Sequence, residues 1–554
     1  MSRRRFLTGL GLAGATGALA AGELMGGSSP AAPPRRPRPA SRPQRPSTSA
    51  ATTAVPEVEL PTAGWVMAEN SLAGTTEWIV SGSPVPHAIE GYADRVSAAS
   101  GDAVTLYVNA RAPTFRVEAY RMGWYQGLGG RLVWRSADVP ARVQPPPRFT
   151  SGINMVECQW EPSITFDVDD SWPAGNYLLK LVGSDGQQQY VPLTVRNPSS
   201  RAAVAVMNSV TTWQAYNLWH GYSLYFGVAG SGQSYANRSR VVSFDRPYAL
   251  AHENWANGAS DWMGNEFPFL MLVERYGVDL AYWTDLDLST DASALANHKL
   301  LVSLGHDEYW SKSMFDGALA ARDAGVNLAF LGANACFRHI RLEDSPTGPN
   351  RHVVCYKSAA EDPLNGVDDS DVTADWPSGP QPRPECILIG NMYQSNPVDA
   401  ALVVAAPSAW GLEGTGMGAG DSLAHTVGSE FDAYDPSLAG PRNVEIWTHS
   451  PLVCRGKPGH SDMTYYSAPD AGGVFATGTN WWVSKLADNL GAVPTALVGR
   501  ALPQVTTAVT AITLNVLKVL GSGPGGRLRP STANWQQFYP SGTAPGGGQA
   551  GQAA

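Results

Sequence analysis

The chain has 554 residues, of which 43% are hydrophobic and 16% charged, so it contains enough apolar material for more than one core. Its formal net charge is −9, but residues 1–48 contain eight arginines and one glutamate, which leaves about −16 on the remainder. An acidic body of this kind has no basic surface for nucleic acid, which argues against a nucleic-acid partner.

The N-terminus has the pattern of an export signal. The pair Arg3-Arg4 stands just ahead of Phe6-Leu7, and a weakly apolar run rich in Gly and Ala follows. This run is too short and too rich in glycine to anchor the chain in a bilayer. We therefore expect residues 1–27 to be a signal for the twin-arginine export machinery, which places the mature protein in the periplasm, at the cell surface or outside the cell. Residues 28–55, rich in Pro, Arg and Ser, predict a disordered tether.

Residues 56–200 have the pattern of an all-β domain. Apolar and polar side chains alternate in the runs 103–108, 115–120, 177–181 and 190–195, with turn residues between them. Period-two alternation is typical of half-buried strands, and several such strands predict a β-sandwich.

Residues 201–488 have the pattern of an α/β domain, beginning with a strand at residues 203–207. A buried strand is predicted at residues 300–304, and Ser311 can cap a helix that Gly325 closes. A second strand follows at residues 326–331. The order strand, helix, strand predicts parallel strands with polar residues at their exits.

These strand exits carry candidate functional residues. His306 and Glu308 follow the first strand, and Asn334 follows the second. Ligands bind at the carboxyl ends of strands in open α/β sheets. Because His306 and Glu308 are two residues apart, an extended segment points both side chains to the same side.

The C-terminal part predicts a helix within residues 489–520 and a disordered tail over residues 521–554, which are rich in Gly, Pro, Ser and Gln. The five cysteines leave at least one unpaired, and no Cys-x-x-Cys spacing suggests zinc. A bridge between Cys355 and Cys386 stays open as an alternative.

Six motifs in a fixed order carry a family resemblance. They are Thr212-Trp213-Gln214-Ala215-Tyr216-Asn217, Asp245-Arg246-Pro247-Tyr248, Gly305-His306-Asp307-Glu308-Tyr309-Trp310, Leu331-Gly332-Ala333-Asn334-Ala335-Cys336-Phe337-Arg338-His339-Ile340-Arg341, Gly428-Ser429-Glu430-Phe431-Asp432 and Val474-Phe475-Ala476-Thr477-Gly478-Thr479-Asn480-Trp481. Together they resemble the large (beta) subunit of N,N-dimethylformamidase. The resemblance implies an Ig-like β-sandwich followed by a three-layer α/β domain similar to class I glutamine amidotransferases.

The resemblance also implies a mononuclear iron, as Fe(III), held by two tyrosines and one glutamate. Matched motif by motif, these ligands are Tyr216, Tyr248 and Glu308, with Tyr222 and Tyr225 as rival second tyrosines. Anionic oxygen donors suit a hard ferric ion, whose charge can deprotonate phenols with a solution pKa near ~10.

The same resemblance implies the reaction. His306 paired with Glu430 activates water, Asn334 lies near the substrate, and the protein hydrolyses a C–N bond of a small amide. A homo-oligomer or a small partner subunit is compatible with it. Two alternatives stay open: a cysteine hydrolase that uses Cys336 with His306 or His339 as base, and a secreted surface or binding protein without catalysis.

Overall fold

The computed structural model describes residues 58–230, 232–250, 257–487, 491–493 and 502–540. These residues belong to one unit that spans Val55–Ala554. The predicted export signal and tether lie outside the described residues. Within the described part of the chain, no helix combines the length and apolar character needed to cross a bilayer.

The N-terminal part is built from strands that pair mostly antiparallel. In chain order they are β1 (Ile89–Ala93), β2 (Ser97–Ala99), β3 (Ala103–Ala110), β4 (Thr114–Met122), β5 (Gly130–Arg135), β6 (Val139–Pro140), β7 (Arg148–Thr150), β8 (Met155–Glu157), β9 (Ile164–Asp167), β10 (Gly175–Gly183) and β11 (Gln188–Arg196). One sheet has the order β2-β11-β10-β4-β5, and another has the order β1-β3-β9. All four alternating runs of the sequence lie within strands, so the predicted β-rich character is confirmed. The Ig-like arrangement stays a prediction.

The sheet containing β4 and β10 separates two cores. Leu179 and Leu181 belong to a core shared with β1 and β3, whereas Leu178 and Tyr120 belong to the large core of the C-terminal part. Successive side chains of a strand point to opposite faces, so neighbouring residues enter different cores. The strand β10 is therefore buried along its whole length, rather than half-buried as its alternation predicts.

The C-terminal part contains a 7-stranded mixed sheet. The strands from residue 204 onward are β12 (Val204–Asn208), β13 (Gly227–Ala229), β14 (Gly232–Ser234), β15 (Val241–Ser243), β16 (Leu280–Thr284), β17 (Leu300–Gly305), β18 (Tyr309–Ser311), β19 (Asn327–Gly332), β20 (Arg338–Ser345), β21 (Gly348–Val354), β22 (Met392–Val403), β23 (Ser422–Ala433), β24 (Glu445–Cys454), β25 (Lys457–Ser467) and β26 (Gly473–Ala476). The sheet order is β16-β12-β17-β19-β26-β25-β24. The strands from β16 to β26 in this order are parallel, and β25 and β24 are added antiparallel.

Helices connect these strands and cover the sheet. They are α1 (Gly64–Ser71), α2 (Val210–Tyr216), α3 (Trp262–Asn265), α4 (Phe267–Arg275), α5 (Asp285–Asp291), α6 (Lys312–Asp323), α7 (Cys386–Ile389), α8 (Pro503–Leu520) and α9 (Gly525–Leu528). The predicted cap of α6 is confirmed, because the Ser311 hydroxyl accepts a hydrogen bond from the Met314 amide at 3.3 Å. The α/β pattern is present, whereas the amidotransferase-like arrangement and the domain boundary near residue 200 stay predictions.

A buried ion pair joins β4 to α4. The Arg121 guanidinium donates to both carboxylate oxygens of Glu274 at 2.9 and 2.8 Å, and both side chains are fully buried. Tyr282 donates to the same carboxylate at 2.5 Å, and Asn70 donates to it at 2.8 Å. A buried ion pair is stable only when the other lone pairs of its carboxylate also accept hydrogen bonds, and Tyr282 and Asn70 supply these bonds to Glu274.

One expectation about the C-terminal part is corrected, and one alternative that the sequence left open for the cysteines is excluded. Residues 521–540, which their composition predicts to be disordered, follow a defined path because buried Asn327 binds them: its amide donates to the carbonyl of Gly523 and accepts from the amide of Gly525, both at 2.8 Å. Residues 541–554 lie outside the described part. All five cysteines are free and buried, so Cys355 and Cys386 form no bridge.

Candidate active site

The carboxyl ends of β17 and β19 approach each other at the centre of the sheet. Gly305 ends β17 with φ +52, and a Cβ atom there would lie 2.4 Å from the carbonyl oxygen of Asn265. A Cβ atom on Gly332, which ends β19, would lie 2.1 Å from the carbonyl oxygen of Gly305. Only glycine fits these two positions, and they bring the segments that begin at His306 and Ala333 together.

Three oxygen-bearing side chains meet beside these strand ends. The phenol oxygens of Tyr216 and Tyr225 are 2.8 Å apart. Tyr216 donates to Glu308 Oε2 at 2.6 Å, and Tyr225 lies 2.8 Å from both Glu308 oxygens. Tyr216 ends α2, which follows β12, and Glu308 lies between β17 and β18. Parallel neighbouring strands therefore bring these distant parts of the chain to one point.

Two basic side chains adjoin this cluster. Arg338 Nε donates to Glu308 Oε1 at 3.1 Å, and Lys357 Nζ lies 3.0 Å from the centre of the Tyr225 ring. Burial opposes ionisation of Glu308, but the neighbouring His306 and the charges of Arg338 and Lys357 hold its pKa well below the ordinary value. Glu308 is therefore a carboxylate at neutral pH.

Tyr216 and Tyr225, in contrast to Glu308, are disfavoured from ionising. Burial and the neighbouring charge of Glu308 raise the pKa of Tyr216 and of Tyr225 well above the ordinary value. Only a strong positive charge at the meeting point of the three oxygens makes phenolates favourable there.

His306 lies against this cluster and is surrounded by carboxylates. Its Nε2 is 3.6 Å from Glu308 Oε2 and 3.9 Å from Glu430 Oε2, and its Nδ1 is 3.5 Å from Asp261 Oδ2. Burial lowers the pKa of His306, but these three carboxylates outweigh it and raise the pKa well above the ordinary value. The structure thus places His306 and Glu430 close together, as the family resemblance implies; their roles stay a prediction.

Glu430 is held in place by two amides. Its Oε1 accepts from Asn396 at 2.8 Å and its Oε2 from Asn480 at 3.0 Å. Burial raises its pKa. Glu430 lies on β23, far from His306 along the chain, and the side chain of Asn480 also accepts from the Ala333 amide at 2.8 Å. Asn480 therefore links Glu430 to the strand exit at Ala333.

Asn334 lies at the exit of β19 in a left-handed conformation, with φ 56. Its backbone amide donates to Asp432 Oδ1 at 2.8 Å, and its side chain is fully buried. Among the described residues, neither atom of its side-chain amide is within hydrogen-bond distance of a partner, although the amide lies near enough to Glu430 to favour the ionised form of that carboxyl. A buried amide without partners is costly, and residues held in such backbone conformations cluster at functional sites.

The structure favours Tyr225 over Tyr248 as the second phenol of the cluster. The Tyr248 ring packs edge-on against Trp213, with centroids 6.4 Å apart, and its backbone carbonyl accepts from Gln189 at 2.9 Å. Tyr222 packs against Phe149, with centroids 5.2 Å apart. A role for Tyr248 as a ligand stays a prediction.

Cys336 lacks the features of a nucleophile. Its side chain is fully buried, and burial raises the pKa of its thiol well above the ordinary value. His339 stacks on Trp376 and has a pKa lowered by burial to about 4. These observations favour the oxygen cluster over a cysteine mechanism.

Sequence reasoning missed several side chains of this site. Arg338 and Asn480 lie inside two of the six motifs, so the motifs could have marked them as candidate site residues. Asp261, Asn396 and Lys357 lie outside all six motifs, and no local pattern marks them.

The donor set suits a hard cation. The described residues contain no group of three or more His, Cys, Asp or Glu side chains that could hold a metal, so a metal here depends on phenol oxygens. Two phenolates and one carboxylate at a single point supply three negative charges, which match a trivalent ion. The residues present therefore fit a ferric ion.

Of three comparisons with known proteins, the one with protein families agrees with the motifs. No curated protein matches this chain. A solved structure of cycloisomaltooligosaccharide glucanotransferase from Paenibacillus sp., complexed with cycloisomaltoheptaose, is similar at 7% identity and a TM-score of 0.14, covering 49% of this chain and 34% of that one. This likeness supports no inference about fold or function. The family described as N,N-dimethylformamidase beta subunit-like, C-terminal, matches residues 116–493, which is more than half of the chain. The chain therefore belongs to the N,N-dimethylformamidase beta subunit-like family.

Proposed function

We propose that this protein is an exported, iron-dependent hydrolase that cleaves the C–N bond of a small amide. The observation that carries the proposal is the meeting of Tyr216, Tyr225 and Glu308 beside the pair His306 and Glu430. A cluster of hard donors next to a candidate base and its carboxylate is the arrangement that metal-assisted hydrolysis requires. Membership of a dimethylformamidase-like family supports hydrolysis of amides in general.

Tyr216, Glu308 and a second tyrosine would hold the iron. Bound there, it would act as a Lewis acid that polarises an amide carbonyl. Arg338 keeps Glu308 ionised and orients its carboxylate through the contact at 3.1 Å.

His306 would take the proton from the attacking water. Three carboxylates hold a proton on His306. A cation held by Glu308 would offset part of their negative field, so the pKa of His306 would fall toward the range of a general base. Glu430 stabilises the imidazolium after proton transfer, while Asn396 and Asn480 fix the carboxylate. The same imidazolium can then protonate the departing nitrogen.

Asn334 would orient the substrate. Its unpaired side-chain amide offers a donor and an acceptor in a buried place. Hydrogen bonds already positioned for the reacting group lower the barrier without reorganisation.

If Tyr225 is the second phenol ligand, the variants Tyr225→Phe and Tyr248→Phe should differ in colour. Phenolate bound to ferric iron gives a visible charge-transfer band, which reduction of the iron should abolish. Tyr225→Phe should weaken or shift this band and reduce the iron content and amide hydrolysis, whereas Tyr248→Phe should leave all three close to wild type. Absorption spectra, metal analysis and release of amine from a small amide measure these effects.

The reverse ranking of these two variants would assign the ligand to Tyr248 instead. A purified protein that contains iron but shows no visible band would contradict tyrosinate ligation. If the iron-containing protein hydrolysed no small amide, the proposed hydrolase function would be wrong.

The export part of the proposal rests on Arg3-Arg4, which lie outside the described residues. Because the twin-arginine route carries folded proteins, the double variant Arg3→Lys, Arg4→Lys should accumulate in the cytoplasm as folded precursor that contains iron. Fractionation with metal analysis tests this result. Normal export of the variant would contradict the twin-arginine route.

The family description names a beta subunit, which supports a partner subunit or a homo-oligomer. Sedimentation of the purified chain, alone and as isolated from its native source, tests this proposal. A monomer in both preparations would contradict it.

A further inference from the structure

A cleft of about 420 Å³ opens at the amino ends of β12 and β16. The side chains that matter most to its chemistry are those of Trp65, Ser199, Arg201 and Asp279, which all line it. We refer to it as the Trp65 cleft. Ligand pockets usually measure about 300–1,000 Å³, so the space suits a small molecule.

The Trp65 cleft lies at the opposite edge of the sheet from the candidate active site. β12 runs parallel to both β16 and β17, and Glu308 follows the carboxyl end of β17. The cleft is at the other ends of these strands, and a strand as long as the five-residue β12 spans about 16 Å. No residue of the cleft has a part in the proposed hydrolysis. The inference drawn from it therefore does not depend on the proposed function.

An exposed tryptophan forms part of the wall. Trp65 has 39% of its surface exposed, and every other tryptophan that the structure describes is less exposed. The guanidinium of Arg121 lies over its ring at 5.9 Å from the ring centre. Because Arg121 is fully buried and paired with Glu274, it gives the ring a fixed support. Trp65 thus presents a flat apolar surface to solvent in a held position.

Two opposite charges line the same cleft without pairing. Asp279 Oδ2 accepts a hydrogen bond from the Ala203 amide at 2.9 Å, and Arg201 Nη1 donates to Asn297 Oδ1 at 3.0 Å. Within the described part of the chain, neither charge has an ion-pair partner. Asp279 Oδ1 and Arg201 Nη2 are therefore a strong acceptor and a strong donor that the protein leaves unused.

These charges favour a neutral ligand. An anion would meet Asp279 and a cation would meet Arg201, and a like charge next to a ligand costs affinity. A single aromatic ring also falls short of the aromatic cages that hold quaternary ammonium groups. A neutral molecule with several hydroxyls can donate to Asp279 and accept from Arg201 at the same time.

We propose that the Trp65 cleft binds a neutral saccharide of one or two pyranose rings. Such a ring has hydroxyls around its rim and C–H groups on its faces, which matches a cleft with an apolar ring and two unused charges. One C–H face packs on Trp65 through dispersion. One hydroxyl donates to Asp279 Oδ1, another accepts from Arg201, and the exposed hydroxyl of Ser199 adds a further polar contact.

Saturation-transfer NMR on the full-length protein tests the ligand class. The probes are the methyl glycosides of glucose, galactose, mannose and N-acetylglucosamine. At least one of them should bind saturably and receive the strongest saturation at the C–H protons of one ring face. Sorbitol, which has the hydroxyls but no ring face, should bind about fivefold to tenfold more weakly than that glycoside.

Variants of the cleft locate the binding. Trp65→Ala should weaken binding of the best glycoside by about fivefold to tenfold, because it removes the stacking surface. Asp279→Asn should weaken it by about tenfold, because a hydrogen bond to a charge is lost while the Asn oxygen can still accept from the Ala203 amide. The matched control is Phe149→Ala, since Phe149 is 48% exposed but does not line the cleft. This control should bind the glycoside as wild type does.

Four results would overturn the proposal. They are no binding of any of the four glycosides, sorbitol binding as tightly as the best glycoside, clearly tighter binding of glucuronate or glucosamine, and unchanged glycoside affinity in both Trp65→Ala and Asp279→Asn. The third result would make the cleft an ionic site, and the fourth would place the saccharide elsewhere on the protein. If either variant does not fold, the exposed Arg201→Gln replaces it, and the ligand series on the wild-type protein still decides.

Discussion

Glu308→Gln is expected to abolish iron binding and amide hydrolysis together. The neutral amide removes one of the three negative charges at the cluster, and it leaves Arg338 beside the site without its anion. Lewis-acid stabilisation is worth several kcal/mol, so we expect the rate of amide hydrolysis to fall by about 10² or more. Metal analysis and the rate of amine release, measured on the same preparation, check both effects.

Glu385→Gln is the matched control. This carboxyl is also buried, and burial raises its pKa to about 8. It is therefore mostly neutral at pH 7, where glutamine replaces it without a change in charge. The variant should keep both iron and activity.

A second contrast separates metal binding from proton transfer. His306→Ala should keep the iron but slow hydrolysis by about 10²–10⁴, the usual worth of a general base. If the Glu308→Gln protein kept both iron and activity, the proposed iron site would be wrong. If His306→Ala left the rate of hydrolysis unchanged, His306 would not be the general base.

Arg121→Met is expected to lower the free energy of unfolding by about 3–5 kcal/mol, which is a large part of the stability of most domains. The variant leaves the Glu274 carboxylate uncompensated where no water reaches it. Chemical denaturation measures the loss. We expect the midpoint to fall while any activity of the folded fraction is retained, because this pair lies outside the candidate site.

An exposed arginine provides the control. Arg95 contacts Asp94 at 3.4 Å, and 37% of its side chain is exposed. Arg95→Met should cost less than about 1 kcal/mol. In the double variant Arg121→Met, Glu274→Gln, part of the loss should be recovered because the buried charge is gone. A single Arg121→Met variant as stable as wild type would show that the pair does not stabilise the fold.

The sequence by itself determined features that depend on neighbours along the chain. The apolar run at residues 300–304 forms β17 because a short stretch without polar side chains is stable when it is buried on both faces. Ser311 caps α6 because its hydroxyl reaches an amide only three residues away. The placement of His306 and Glu308 at a strand exit follows from the same local pattern.

The six motifs predicted part of the candidate site. Tyr216 and Glu308 meet, and His306 lies near Glu430, as the family resemblance implies. The choice between Tyr225 and Tyr248 could not be made from spacing, because both residues lie outside helices and strands and periodicity does not predict their positions. The packing of Tyr248 against Trp213 favours Tyr225.

Only the tertiary structure decided the rest. Arg121 and Glu274, which form an ion pair, are 153 residues apart in the sequence. Asn327 binds a C-terminal segment whose composition predicts disorder. These contacts join side chains across strands and helices that are far apart in sequence. Their energies depend on burial and geometry, which local propensity and periodicity do not encode.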